Sequence, residues 1–157
     1  PLLIIFQVKH FVADYPLQGR YMLGKFKEKG WVLPLSAHCL VHAAMTFSIA
    51  YLFTKDITKS SIAAVFDFVV HFIMDRIKAS PKMLGQFKAI NHFEYGYLND
   101  AIVKAQWSKC TEVEKIAQNK MDERLAENTL FWWSLGLDQT VHHLTHYLII
   151  MYIVGLI

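Results

Sequence analysis

The feature that most constrains the fold is a set of ionisable side chains spaced four residues apart within four apolar stretches. Residues with this spacing lie on one face of an α-helix, so each stretch is predicted to form an apolar helix with a single polar stripe. The pattern is typical of a helix bundle with a polar interior. The residues concerned are His10 and Asp14, His38 and His42, His71 and Asp75, and Asp138, His142 and His146.

The length and composition of the chain fit one compact helical domain covering residues 1–157. With 157 residues, of which 54% are apolar, the chain can bury one core. The net charge is only +3, and the basic residues do not gather on one helix as nucleic-acid binding would require. Cys39 and Cys110 lack the paired spacing of a zinc motif.

The apolar stretches predict an all-α, polytopic membrane helix bundle with about four spans. Residues 35–53 form a run of 19 residues without Asp, Glu, Lys or Arg, close to the roughly 20 residues that cross a bilayer core. Since Pro1 cannot be an initiating residue, the first span is expected to begin before residue 1 or to be a tilted or re-entrant helix. The predicted spans are residues 1–15, 35–53, 62–77 and 130–157.

Flanking residues predict how these spans are oriented. Trp31, Trp132 and Trp133 lie where an aromatic belt at the membrane surface is expected. The connection after the first span is rich in lysine and arginine, which places residues 16–34 and 78–128 in the cytoplasm by the positive-inside rule. A soluble bundle is the open alternative, because buried core helices of similar apolarity occur.

With this topology the polar stripes fall at one depth. His10, His42, His71 and Asp138 each lie about six to eight residues from the cytoplasmic end of their span. At about 1.5 Å rise per residue, all four lie on the order of 10 Å below the same face. Structural histidines that were unrelated to one another would have no reason to share a layer.

Carboxylates in this layer need partners, because an isolated charge at the centre of a span costs roughly 2.5 to 3.5 kcal/mol. Protonation, a bound cation, or a lysine or arginine that points inward could each neutralise these carboxylates. Lys9, Arg76 and Lys78 are the basic residues nearby in sequence. Imidazole and carboxylate on facing helices also bind zinc, manganese or iron. We therefore predict one or two divalent transition-metal ions, with a proton pathway and a purely structural layer as alternatives. The predicted ligands are His10, Asp14, His38, His42, His71, Asp75, Asp138, His142 and His146.

The polar stretch 80–128 is predicted to form cytoplasmic or interfacial amphipathic helices. Ser80-Pro81 is a helix-start signal, and Thr111-x-x-Glu114 predicts a second helix with a capping box. The aromatic segment 92–97 between them is predicted to be a connecting loop. The second helix is expected to dock on the bundle, on another copy of the chain or on a cytoplasmic partner.

Four motifs occur in order along the apolar stretches. They are His10-x-x-x-Asp14-x-x-x-Gln18, His38-x-x-x-His42, His71-x-x-x-Asp75-x-x-Lys78 and Asp138-Gln139-x-x-His142. Together they resemble an uncharacterised multi-pass membrane family of bacteria and phages, domain of unknown function 3307. The resemblance implies a polytopic membrane protein of bacterial or phage origin, and no activity or cofactor. We expect the protein in the bacterial inner membrane, surrounded by lipid.

Three different functions are compatible with these residues. A metal-dependent hydrolase would activate water near the cytoplasmic leaflet and cleave a phosphoester or acyl bond of a lipid-linked substrate, with Gln18, Lys78 and Gln139 at the rim as catalytic residues. A cation or proton transporter would use the same layer as its binding site. A non-catalytic membrane adaptor would need the layer only for stability.

Overall fold

The computed structural model describes residues 1–157 and contains five α-helices and no strand. The all-α prediction is therefore confirmed. Two short 3₁₀ segments, Met22–Phe26 and Leu84–Gln86, lie in the connections. The helices are α1 (Leu2–Asp14), α2 (Val32–Thr54), α3 (Ile57–Ala79), α4 (His92–Trp107) and α5 (Thr111–Val154).

Helices α2 and α3 form an antiparallel hairpin joined by a very short turn. Lys55 ends α2 in the left-handed conformation, with φ of 55°. Asp56 then caps α3, because its side chain accepts a hydrogen bond from the Lys59 backbone N–H at 3.0 Å. Each helix has 23 residues and is long and apolar enough to cross a membrane. The two central predicted spans therefore have the required length and composition.

The first and fourth predicted spans do not meet this criterion. Helix α1 has only 13 residues, which at about 1.5 Å per residue is shorter than a bilayer core of about 30 Å. Helix α5 is long enough, with 44 residues. However, Asp138 and three histidines lower the mean hydropathy of its apolar end.

The chain divides into two compact units, residues 1–85 with 136–157, and residues 86–135. The second unit largely coincides with the predicted polar segment 80–128. Helix α5 contributes residues to both units, since nothing in the sequence from Thr111 to Val154 breaks the helix. That the whole chain is one domain stays a prediction.

Within the polar segment, three local predictions are wrong, although the second helix itself is present as the start of α5. Ser80-Pro81 does not start an α-helix: it begins a turn, followed by the 3₁₀ segment Leu84–Gln86. The aromatic segment 92–97 is helical rather than a loop, because Asn91 caps α4 by accepting a hydrogen bond from the Glu94 backbone N–H at 2.8 Å. Thr111 makes no capping-box hydrogen bond, and Glu114 Oε1 accepts instead from Gln106 Nε2 at 3.0 Å.

The interior of the first unit is apolar at one end and holds most of its buried polar side chains beyond that end. Side chains from α1, α2, α3 and α5 form the apolar end, on the side of the α2–α3 turn. One helical turn further along each helix, the buried side chains become His, Asp, Lys and Thr. We call the apolar end the plug; it comprises Phe6, Ala50, Ala63, Ile149 and Ile153.

A histidine and aspartate cluster as candidate metal centre

Six of the eight histidines meet inside the first unit, and all six are at least 95% buried. Residues four apart lie on the same face of a helix, and here that face points into the interior of the unit. Ring centroids are 4.0 Å apart for His42 and His71, 4.1 Å for His71 and His142, and 4.9 Å for His10 and His142. We call this set the histidine layer: His10, His38, His42, His71, His142 and His146.

Asp14, at the end of α1, stands among three of these imidazoles. Its Oδ1 lies 3.1 Å from His42 Nε2 and 3.4 Å from His38 Nε2, and its Oδ2 lies 3.2 Å from His10 Nε2. Only the contact with His42 has hydrogen-bond geometry. Asp14 thus collects imidazole nitrogens from two helices around one carboxylate.

These nitrogen-to-oxygen separations are those of ligands that share a metal. Two ligand atoms about 2.0 to 2.1 Å from a tetrahedral ion lie roughly 3.3 to 3.4 Å apart. The contacts of Asp14 fall between 3.1 and 3.4 Å. Moreover, both ring nitrogens of His10 and of His38 have no hydrogen-bond partner, a costly state for buried polar atoms. A cation bound at this point would satisfy them.

Asp67 fixes the orientation of another member of the layer. His71 Nδ1 lies 3.0 Å from the Asp67 main-chain oxygen and 3.2 Å from its Oδ1. With its proton on Nδ1, His71 presents the lone pair of Nε2, which has no partner, to the layer. Asp67 is itself held through Oδ2, which accepts from Lys9 Nζ at 2.7 Å and from Thr46 Oγ1 at 2.7 Å.

Lysines neutralise the three buried carboxylates of the cluster, Asp67, Asp75 and Asp138. Besides the Lys9–Asp67 pair, Lys25 Nζ donates to Asp75 Oδ2 at 2.8 Å and Lys78 Nζ to Asp138 Oδ2 at 2.6 Å. Asp14 has no lysine partner. Asp14 is therefore the carboxylate beside the histidine layer that has no lysine partner, and its negative charge is available to bind a metal cation.

An open cavity of about 270 Å³ reaches this cluster from the end opposite the plug. Asp14 and Asp75 belong to its lining, and so do the ammonium-bearing side chains of Lys25 and Lys78. Gln18 lies at the same wall. The cavity thus combines carboxylates with two lysines and an amide that can receive an anionic group.

The structure brings together eleven of the twelve residues predicted for the site, and it places the twelfth beside them. His10, His71 and His146 form one group of neighbouring ligand atoms, Asp14, His38 and His42 a second, and Asp75, Asp138 and His142 a third. Gln18 and Lys78 line the cavity. Gln139 does not line it but donates from Nε2 to Asp138 Oδ2 at 3.1 Å.

Three polar residues of the cluster were missed by the sequence analysis. Asp67 precedes His71 by four positions, so the spacing rule used for the other residues would have found it. Thr46 follows His42 by the same interval. Lys25 had no such signal: it lies in a connection, and its ammonium reaches Asp75 because the segment Met22–Phe26 folds back against α2. Arg76, by contrast, stacks on Trp31, its guanidinium carbon 3.9 Å from the ring centroid.

Chemically, the cluster can hold a transition-metal ion beside a water-accessible cavity. Three protein ligands leave an open coordination position on zinc, which is the arrangement that activates water. Mg²⁺ and Ca²⁺ prefer oxygen ligands, so a site dominated by imidazole favours zinc, iron or manganese.

Comparison with known proteins places the chain in a family without an assigned activity. No curated protein and no solved structure shows a significant match. The family model described as "Protein of unknown function (DUF3307)" matches residues 2–156. Since this match covers nearly the whole chain, the protein belongs to the DUF3307 family.

Proposed function

We propose that the protein is an integral membrane hydrolase that depends on a divalent transition metal and cleaves a phosphoester of a lipid headgroup or lipid-linked substrate. The observation that carries this proposal is the position of Asp14. It is the carboxylate of the layer without a lysine, it contacts His38 and His42, and it opens onto the cavity. In this proposal Asp14, His38 and His42 hold the metal.

The distribution of exposed side chains supports a membrane location. Ile4 is 69% exposed, Leu40 59%, Val65 63% and Leu144 55%, while the interior between their helices holds His, Asp and Lys. A soluble bundle buries its apolar side chains and exposes its polar ones. Lipid around α1, α2, α3 and the end of α5 would cover these surfaces. We therefore propose that all four segments lie in the bacterial inner membrane, with α2 and α3 long enough to cross it and the shorter α1 packed against them.

Closure of the layer at one end supports an enzyme over a transporter. A transport path needs polar or hydrated access on both sides of the binding site. Here the cavity lies at one end, whereas the plug closes the other with Phe6, Ile149 and Ile153. Phe6 packs directly on His146, with ring centroids 5.3 Å apart. A site reached from one side suits substrate that enters and leaves at the same leaflet.

The lining of the cavity supports an anionic substrate. A metal held by Asp14, His38 and His42 would supply the acidity that activates a water molecule. As the water oxygen bonds to phosphorus, the bond from phosphorus to the leaving oxygen would break, and the leaving alkoxide would take up the proton that the water gives up. Lys25 and Lys78 place positive charge beside the metal ligand Asp14, and Gln18 can donate to a phosphoryl oxygen. Gln139 acts indirectly in this scheme, since it holds Asp138, the partner of Lys78.

Helix α4 supports the expectation of a protein partner or a second copy at residues 80–128. Phe93, Tyr97 and Trp107 are each more than 75% exposed. Aromatic side chains of this kind are enriched in protein interfaces and in the interfacial region of membranes. We include this surface in the proposal as the part of the chain that contacts a partner or the headgroup region.

The test combines metal content with phosphate release. The protein would be purified in mild detergent without chelator, analysed for metals, and incubated with vesicles of phosphatidylcholine containing phosphatidic acid as the phosphoester probe. A wild-type protein that holds zinc, iron or manganese and releases inorganic phosphate supports the proposal. Asp14→Asn is expected to lose metal and at least 100-fold in rate.

His143→Ala is the matched control. His143 follows a member of the layer on α5 but belongs to none of the groups of neighbouring ligand atoms, so metal content and rate should be unchanged. Metal-free wild-type protein would overturn the metal centre. Bound metal with neither phosphate release from phosphatidic acid nor headgroup release from a phosphodiester lipid would overturn the hydrolase. Loss of the folded protein in Asp14→Asn, with an inactive wild type, would favour the adaptor.

A further inference from the structure

The two oxygens of Asp14 face different sets of histidines. Oδ1 lies near His38 and His42, both from α2, whereas Oδ2 lies near His10, from α1. A carboxylate placed in this way is suited to bridge two metal ions, one on each oxygen. Such bridged pairs, about 3.5 to 4 Å apart, are common in enzymes that hydrolyse phosphoesters.

On the Oδ2 side, His10 belongs to a second group with His71 and His146, whose ligand nitrogens lie within 4.8 Å of one another. These residues come from α1, α3 and α5 and are 5%, 0% and 0% exposed. His71 Nε2 and both ring nitrogens of His10 and His146 have no hydrogen-bond partner. Five buried nitrogens without partners would be costly unless a cation is bound among them.

A neighbouring carboxylate, Asp67, orients one imidazole of this group as metal-binding histidines are usually oriented. Asp67 holds His71 by Nδ1, which leaves the lone pair of Nε2 without a partner and free to bind a cation. This is the carboxylate–histidine arrangement that orients ligands around protein-bound metals. Lys9 and Thr46 occupy the other oxygen of Asp67 and keep the carboxylate from binding a cation through it. The ligand atoms that His10, His71 and His146 offer are imidazole nitrogens.

We propose that Asp14 bridges two transition-metal ions, one held through Oδ1 with His38 and His42, the other through Oδ2 with His10, His71 and His146. The inference rests on the proposed function, since it adds a second ion to the site proposed there. It assigns His71 and His146 as ligands of that ion, and Asp67 as the residue that positions His71. Three imidazoles favour zinc, iron or manganese over magnesium or calcium.

The stoichiometry of bound metal tests this inference. Wild-type protein purified without chelator is expected to hold two equivalents. His146→Ala and His38→Ala should each hold one, because each removes a ligand of one ion only. His143→Ala, on the same helix as His146, should keep two. His146→Gln preserves the volume of the side chain and provides a second variant should the alanine variant fail to fold.

Electron paramagnetic resonance on Mn²⁺-loaded protein gives a second readout, which reports the coupling between the ions rather than their number. Two ions bridged by a carboxylate give a spin-coupled signal, whereas one ion gives an isolated six-line signal. In His146→Gln the coupled signal should be replaced by the isolated one. The expected pair of results is two equivalents with coupling in the wild type and one without coupling in the variant.

The outcomes separate this inference from the proposed function. One equivalent in the wild type, lost in His38→Ala and kept in His146→Gln, would overturn the bridged pair and leave the proposed metal site intact. No metal in the wild type would overturn both. Two uncoupled ions would overturn the bridging role of Asp14 alone.

Discussion

Lys9 and Asp67 form an ion pair whose side chains are 1% and 0% exposed. Such a pair stabilises the fold little more than an apolar pair of similar volume would, because the cost of desolvating the charges opposes their attraction. Removing one partner is different, since the remaining charge then has no counterion in a medium of low dielectric constant. The pair therefore makes each of its members hard to replace alone.

Lys9→Met should lower the free energy of unfolding by about 3–5 kcal/mol. The double variant Lys9→Met with Asp67→Asn should recover most of this loss, because no unpaired charge is left. Reversible unfolding with sodium dodecyl sulfate in mixed micelles would measure both values. Equal destabilisation by the single and the double variant would mean that the two charges are not coupled.

Residue by residue, the sequence predicted the clustered histidines and aspartates better than the lysines that pair with those aspartates. Periodicity of four identified six histidines and three aspartates, because it depends only on helix geometry. The pairing of Lys25 with Asp75 could not be predicted, since it depends on a connection of 17 residues, 15–31, returning to the bundle. Asp67 was overlooked although the same spacing marks it.

At the scale of the helices, the end of α3 depends on a close approach of two backbones. A Cβ atom on Gly85 would lie 2.7 Å from the Ala79 main-chain oxygen, a distance that neither group can relieve by rotating a side chain. The Gly85 N–H also donates to the Ser80 main-chain oxygen at 3.1 Å. Together these contacts explain why the chain turns after Ser80 instead of continuing as a helix from Pro81.

Gly85→Ala should therefore destabilise the fold by about 1–3 kcal/mol, the usual cost of forcing extra volume into a packed site. Gly19→Ala is the matched control, because a Cβ there meets no atom within 4 Å. The midpoint of thermal unfolding in detergent would compare the two variants with the wild type. If Gly85→Ala unfolds at the wild-type temperature, the close approach is not a constraint on this turn.

Helices α4 and α5 are joined in the second unit by Arg124 and Glu94. Arg124 Nε and Nη2 donate to the two carboxylate oxygens of Glu94 at 2.6 and 3.1 Å, and Arg124 also pairs with Glu127. The hydrogen bonds from Arg124 lower the pKa of Glu94 from its ordinary value. Because the folded-state pKa is the lower one, the stabilisation is present above the ordinary pKa and is lost as the pH falls through the lowered one.

Amide hydrogen exchange in α4, corrected for its intrinsic pH dependence, should therefore become faster on going from neutral pH to about pH 3, below the ordinary carboxylate pKa. Glu94→Gln should remove this dependence and exchange faster already at neutral pH. The effect should be small, because exposed pairs contribute little. Identical pH profiles for Glu94→Gln and the wild type would exclude Glu94 as the group responsible.

Considered as a whole molecule, the chain has its two cysteines in opposite environments. Cys39 is buried in α2, and Cys110 is exposed just before α5. In the proposed topology Cys110 faces the cytoplasm. Thr58, in the first turn of α3 at the plug end, is exposed. In the same proposed topology it faces the other side of the membrane. One thiol reagent can therefore distinguish the two sides.

A membrane-impermeant maleimide applied to intact bacterial cells that express the protein should leave wild-type Cys110 unlabelled until the cells are permeabilised. Thr58→Cys in a Cys110→Ser background should be labelled in intact cells, because its thiol lies outside. Cys110→Ser alone should never be labelled, since the only remaining thiol is buried.

Labelling of Cys110 in intact cells, with protection of the thiol at position 58, would invert the topology and move the cavity to the outer leaflet. Protection of both thiols in intact cells would favour the soluble bundle. Labelling at Thr58 combined with protection at Cys110 requires the chain to cross the bilayer, and it fixes the leaflet from which the cavity receives its substrate.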